Sequence, residues 1–335
     1  MKILAPVDCT EDILFLYEAG AEEFFCGYTS EQWYEDFNEP SHFGEMIPYP
    51  INRRHARMTN VKSKMELKKM CGLAEELNIN LYLTVNGTFY LTQAYELLDE
   101  FFADMYEIGV RHLIVSDLGL VYYLSKKWPQ MKLSISCLNQ VENEEAVHFY
   151  KQFQTERIVL PRHIPVAHAR QIIRANPDIK FECFALGEKC LFNDGLCRCN
   201  HSFGAICNDV WNCTYYRTDG KNPNRKEMLD LAVNEGIYIA WSNEKTGFVS
   251  SASGYNLGCS LCSIASLSDL DNMESWKLSG RGKNKKMLSE RVRLTRHVID
   301  MVTAGGSEME IRKYVPKILG EQYCVDYAYC FMRGI

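Results

Sequence analysis

Fourteen cysteines are spread unevenly over 335 residues. Five of them, Cys190, Cys197, Cys199, Cys207 and Cys213, crowd into the stretch GEKCLFNDGLCRCNHSFGAICNDVWNC. Cys259 and Cys262 add a C-x2-C pair in NLGCSLCSI. Thiolates are soft donors suited to zinc and to iron–sulfur clusters, whereas exposed thiols without a ligand are liabilities. The zinc-ribbon arrangement of two C-x2-C pairs is not met, and the closely spaced run of bacterial ferredoxins is absent. Irregular spacing is what a site looks like when its ligands come from different turns of one long loop. An iron–sulfur site is therefore expected, drawing on Cys190, Cys197, Cys207, Cys213, Cys259 and Cys262, with structural zinc as the alternative. His201 sits in the same loop, where a hydrogen-bonded histidine is the simpler reading. Cys26, Cys71, Cys137 and Cys183 stand singly in apolar segments and read as small core residues.

Such a loop needs a scaffold. Short runs rich in Ile, Val, Leu and Phe alternate with helical patterns along the chain. The strand candidates are 2–7, 23–28, 80–86, 112–117, 132–139, 157–162, 180–187 and 275–280. They are apolar on both faces, as expected of strands covered on both sides. Helices are expected after most of them: one behind the Ser63/Glu66 capping-box signature, then 94–109, 120–128, 144–153, 165–176 and 285–304. This pattern predicts an α/β fold, a (β/α)8-like barrel with a long cysteine-rich insertion between the last two strands. A doubly wound open sheet is the runner-up. The barrel is expected over 1–305, with the insertion at 188–274 and a C-terminal packing segment at 306–335. Cys324 and Cys330 in that last segment have no assignment beyond packing.

In a barrel, residues at the C-terminal ends of strands sit where chemistry is housed. Asp117 and Asn86 occupy such positions and are candidate catalytic residues; Asp117 equally reads as the cap of the next helix. Arg162 and Arg281 are candidates for an anionic substrate, and Arg53, Arg54 and Arg57 for a carboxylate or phosphate, since guanidinium forks suit both. The aromatic segment 33–37 reads as a lid or, more simply, as the anchor of a long loop. Neither G-x-S-x-G nor a nucleophile–His–acid arrangement can be located.

The net charge of −6 carries no basic footprint, so a small-molecule substrate is expected over RNA. No secretory signal follows Met1, and no apolar run approaches the ~20 residues of a membrane-spanning helix. A cytoplasmic protein without membrane association is expected.

Several motifs together resemble the U32 family, historically labelled collagenase-like peptidases. APVDCTEDILFLYEAGAEEFFCGY resembles the family's opening, and INRRHARMTN its Arg-containing segment. LYLTVNG and IVSDLG are similar to its third and fourth strands and place Asn86, Asp117 and Gly119 on family positions. KLSISCLNQVENEEAV and RIVLPRHI resemble the next two, with Ser136, Asn143 and Arg162. FECFALGEKCLFNDGLC resembles the signature region, and NLGCSLCSIASLSDL and WKLSGR the closing segments, with Arg281 on the family's Gly-Arg. Ser279 and His163 depart from the family's Glu at the corresponding places.

The resemblance implies a four-cysteine [4Fe–4S] cluster and oxygen-independent hydroxylation of a small aromatic molecule or an RNA base, with prephenate implicated as oxygen source. Asn86, Asp117 and Arg162 are then expected to be catalytic, and Arg54, Ser136, Asn143 and Arg281 to bind substrate. Which thiols besides Cys190 and Cys197 complete the ligand set stays open. The family label implies a peptidase instead. Relatives that operate in pairs imply a related partner chain, or a non-catalytic subunit.

Overall fold

A computed structural model describes residues 1–40, 46–48, 50–54, 59–188, 194–196, 257–321, 323–324 and 330–332. Arg57, Cys190, Cys197, Cys199, His201, Cys207 and Cys213 lie outside the described residues.

The apolar runs become the strands of a closed parallel barrel. In chain order they are β1 (Lys2–Pro6), β2 (Glu23–Gly27), β5 (Asn80–Val85), β6 (His112–Val115), β7 (Lys132–Ile135), β8 (Thr155–Val159), β9 (Lys180–Glu188) and β11 (Met273–Leu278). β3 (Asn38–Pro40) and β4 (Met46–Pro48) form a separate antiparallel pair, and β10 (Leu257–Cys259) adds antiparallel to β9. Each barrel strand pairs in parallel with its neighbours, and β9 pairs with both β8 and β11, which closes the ring. The open-sheet alternative is thereby excluded.

The helices are α1 (Thr10–Glu18), α2 (Glu31–Phe37), α3 (Lys64–Glu76), α4 (Tyr95–Glu107), α5 (Leu118–Lys127), α6 (Glu144–Lys151), α7 (Val166–Ala175), α8 (Ser263–Leu267), α9 (Lys285–Thr303) and α10 (Glu308–Leu319). Their apolar faces pack on the outside of the barrel in one continuous core that holds Ile3, Phe24, Leu83, Leu113, Ile158 and Trp276. Cys26, Cys71 and Cys183 are buried in that core, as small hydrophobes should be. Among the described residues no helix is long and apolar enough to cross a membrane.

Local signals held with small shifts. Ser63 caps α3, its hydroxyl accepting from Glu66 N–H at 3.1 Å. The reciprocal half of the box is replaced: the Glu66 carboxylate accepts from Thr10 N–H at 2.8 Å and from its hydroxyl at 2.7 Å. A long-range pair of donors therefore won over the local one, and ties α3 to the start of α1. β7 ends at Ile135, earlier than expected, because Ser136 caps a short turn over Cys137–Asn139. Trp33 is buried, 4.6 Å from Phe37 and 6.4 Å from Tyr90 between ring centroids, so the aromatic segment anchors its loop.

The barrel's inside is unlike its outside. The described apolar cluster there is small: Leu4, Phe25, Tyr82 and Ile114. Strand register sets Phe25 beside Tyr82 and Tyr82 beside His112. Below it Arg157 bonds Glu23 at 2.8 and 2.9 Å and Glu182 at 3.2 Å, and also reaches Glu274. Lys277 bonds Glu182 at 2.8 Å and lies 4.3 Å from the Phe25 ring centroid. Buried charges persist only when paired, and every carboxylate here meets a cation.

Candidate active site at the C-terminal mouth of the barrel

Parallel strands all end on one rim, so the residues just beyond them converge whatever their distance in sequence. Arg281, three residues past β11, lies at the centre. Its Nη1 donates to Thr84 at 3.0 Å, to Asn52 at 3.2 Å and to Asn60 at 3.4 Å. Burial lowers its pKa to about 10, the neighbouring Arg54 acts in the same direction, and Asp8 opposes both. The space for this guanidinium exists because β2 ends in glycine. A methyl on Gly27 would stand 2.0 Å from Arg281 Nη1 and 2.1 Å from Asn60 Oδ1.

The loop after β2 is wrapped around Arg281. Asn52 donates to Asn60 at 3.1 Å, and Asn60 donates to Arg54 O at 2.8 Å. Arg54 donates to Arg281 O at 2.9 Å and pairs with Glu188 at the end of β9. Burial pushes the Glu188 carboxyl up, but Arg54 and Lys283 outweigh it and hold it below its ordinary value. Arg53, next along, has its N–H fixed by Asn86 Oδ1 at 3.1 Å. Among the described residues its buried Nη1 has no hydrogen-bond partner. The same holds for Asp8 Oδ1, whose carboxyl is raised by burial against the pull of Arg281.

Arg53 belongs to a wider group around Cys137. Burial pushes that thiol up to about 12, Asp194 adds to the effect, and Arg162, Lys277 and Arg53 oppose it. The mouth is thus floored by cations, with Asp8, Glu188 and Asp194 as their internal counter-charges. A buried cation with an open donor, next to paired ones, is suited to an anionic group of a substrate.

The expected residues are placed as follows. Arg54, Arg281, Asn86 and the buried Ser136 all lie at this mouth, Asn86 as the residue that orients Arg53. Arg162 is engaged by the chain itself: Nε donates to Asp194 at 3.1 Å, its backbone N–H at 3.3 Å, and Nη1 donates to Glu188 O. Asp194 falls between Cys190 and Cys197, so Arg162 fastens that loop to the rim. Burial raises the Asp194 carboxyl, but Arg162 outweighs it and holds it low. Asn143 is exposed and caps α6, accepting from Ala146 N–H at 2.9 Å.

Asp117 caps α5, accepting from Leu120 N–H at 2.7 Å; burial nonetheless raises its carboxyl. Asp117→Ala is expected to cost about 1 kcal/mol in urea denaturation, and Asp117→Asn much less, because Asn caps as well. Equal losses for both would show that the cap is not what this side chain contributes.

Sequence reading passed over Gly27, Thr84, Asn52, Asn60, Asp8 and Asp194. Only Gly27 and Asp194 carried a usable signal, a glycine closing a strand and an acid inside C-x6-C. The others are ordinary polar residues made special by convergence.

The cysteine insertion leaves the rim at Glu188 and returns at Leu257, and these two residues are paired. Both ends of the insertion therefore meet at one point of the mouth. Cys190 follows two residues after the exit, and Cys259 pairs opposite Leu186.

Comparison with known proteins fits this arrangement. The tRNA hydroxylation protein P of Helicobacter pylori is 26% identical over 68% of this chain and 52% of its own length. The tRNA hydroxylation protein P1 of Bacillus subtilis is 24% identical over 99% of this chain and 71% of its own. A 23S rRNA 5-hydroxycytidine synthase of Escherichia coli is 26% identical over 44% of this chain and 22% of its own. The chain thus spans about half the length of the Helicobacter protein. The profile of peptidase family U32 matches residues 10–334, and the chain belongs to that family.

Proposed function

We propose that this chain modifies a base of RNA by oxygen-independent hydroxylation, using a [4Fe–4S] cluster held by Cys190, Cys197 and two of Cys207, Cys213, Cys259 and Cys262. The observation that carries the reading is the cationic floor of the mouth, with Arg53 Nη1 open beneath the two ends of the cysteine insertion. The names of the relatives supply the reaction class. The donor set fits such a cluster, being all sulfur and tethered at one point of the rim.

When bound, the cluster supplies redox chemistry at the mouth. The protein's own groups do the rest. Arg53 grips an anionic group, from an RNA phosphate or a carboxylate-bearing oxygen donor, while Arg281 and Arg54 keep the loop that carries it rigid. Asp8, with its raised carboxyl and an open oxygen, is the group placed to hold or pass a proton. Arg162 steadies the stem of the insertion.

Two measurements test the proposal. Protein purified anaerobically is expected to be brown, with about four iron atoms per chain, and Cys190→Ser to lose the colour. Mass spectrometry of RNA nucleosides from cells lacking the gene is expected to show a missing hydroxylated base, restored by the wild-type chain. Arg53→Ala should lower kcat/KM by about 10- to 100-fold, the equivalent of one hydrogen bond to a charged group. A colourless, iron-free anaerobic preparation would sink the reading. A small aromatic substrate is the second reading, favoured by the net charge of −6; unchanged nucleosides together with an accumulated small aromatic precursor would select it.

A further inference from the structure

The tail of the chain brings two more thiols to the C-x2-C pair. After α10 the Tyr323 hydroxyl donates to Leu257 O at 3.1 Å. Cys330 then forms a parallel bridge with Cys259, and Phe331 N–H donates to Cys259 O at 2.8 Å. Phe331 is seated against Gly258, where an added methyl would lie 2.0 Å from its ring. The tail is therefore locked along β10 by backbone bonds and by shape.

Three local features go with a metal-binding turn. The amide of Leu261 donates to the Cys259 sulfur, and Ser263 N–H closes the turn on Ser260 O at 2.8 Å. An amide aimed at the first sulfur of a C-x2-C pair stabilises the thiolate. Arg312, from α10, hydrogen-bonds the Cys262 sulfur and lies within electrostatic reach of Cys324. Cys262, Cys324 and Cys330 all act on Cys259, and burial, the larger cause, pushes its thiol up. Four clustered thiols with one nearby guanidinium resist ionisation until a cation joins them, and a bound metal deprotonates such ligands outright.

We propose that Cys259, Cys262, Cys324 and Cys330 form a second thiolate site, one that takes a zinc ion and staples the C-terminal tail to the barrel rim. Its pattern is C-x2-C followed by C-x5-C. Among the described residues no three such side chains already stand in coordinating positions, so binding turns the sulfurs inward about fixed backbones. A tetrahedral zinc with four thiolates carries a double negative charge, which Arg312 partly offsets. The site does not depend on the cluster reading; it assigns Cys259 and Cys262 away from the cluster and leaves Cys207 and Cys213 to complete it.

The test is metal analysis of the full chain purified anaerobically from zinc-supplemented cells. Wild-type protein is expected to hold about one zinc per chain. Cys324→Ser/Cys330→Ser should lose the zinc and keep any iron, and Cys190→Ser/Cys197→Ser should do the reverse. Should the tail variant fail to fold, cobalt substitution of the wild type decides: the visible bands of a tetrahedral cobalt–thiolate centre support the site. Absence of both zinc and those bands overturns it. So does loss of iron in the tail variant, which would make these thiols cluster ligands. Failure of the cluster alone appears as zinc without iron, a separate outcome.

Discussion

Arg157→Met should lower the stability of the folded chain by about 3–5 kcal/mol, the usual result of stripping one partner from a buried ion pair. Arg157 is 1% exposed and Glu23 0%. The guanidinium also lies 4.7 Å from the Tyr82 ring centroid, so few water molecules can take its place. Without it Glu23 keeps Ser275 and Lys2 as partners but no buried cation. Glu182 retains Lys277.

The pH dependence carries the sharper signature. Burial pushes the Glu23 carboxyl up, but Arg157 more than reverses this and brings it from 4.5 to about 2. A depressed folded-state value means that the stabilisation is fully present above the unfolded value and fades as pH falls through the folded one. Wild-type stability is therefore expected to drop between about pH 4.5 and pH 2, on the printed shift of Glu23. In Arg157→Met the carboxyl is buried without its cation, so protonation relieves it and the gap to wild type narrows on acidification. Guanidinium or urea denaturation across that range checks this. A gap independent of pH would show that Arg157 acts through packing alone.

Gly27→Ala is the second large effect. The added methyl would overlap Arg281 Nη1 and Asn60 Oδ1, at 2.0 and 2.1 Å, and would stand 3.2 Å from Asn52 Nδ2. Neither overlapped group can yield freely, since both are buried and bonded to each other and to Thr84 or Asn52. Overpacking of this kind costs about 1–3 kcal/mol. The guanidinium must leave its place, and the loop carrying Arg53 and Arg54 loosens with it. A double-mutant cycle isolates the cause: Gly27→Ala in an Arg281→Met background should cost far less than in the wild type, because the obstructing group has gone. Strictly additive costs would mean that Gly27 serves some other end than making room for Arg281.

These substitutions probe opposite ends of one barrel. The lower interior is a closed ionic network in which each charge has its partner. The upper interior leaves a donor on Arg53 and an acceptor on Asp8 open among the described residues. That difference separates a layer that maintains the fold from one that has room for a ligand.

The elements were legible in the sequence by itself. Strands buried on both faces write continuous apolar runs, and helices write their own period, so alternation alone implied the barrel; local caps such as Ser63 and Asn143 were readable because a cap needs only its own next turn. The concentration of soft ligands in one insertion was legible for the same reason, being a property of composition. What tertiary structure alone decided is which polar residues meet. Arg281 with Gly27 and Asn60, Arg162 with Asp194, Arg157 with Glu23, and the tail cysteines with Cys259 are pairings across 21 to 254 positions of the chain, or more specifically across whole strands and insertions. No local pattern encodes them, because closing a parallel barrel brings together residues by their height along the strands, whatever their separation in sequence.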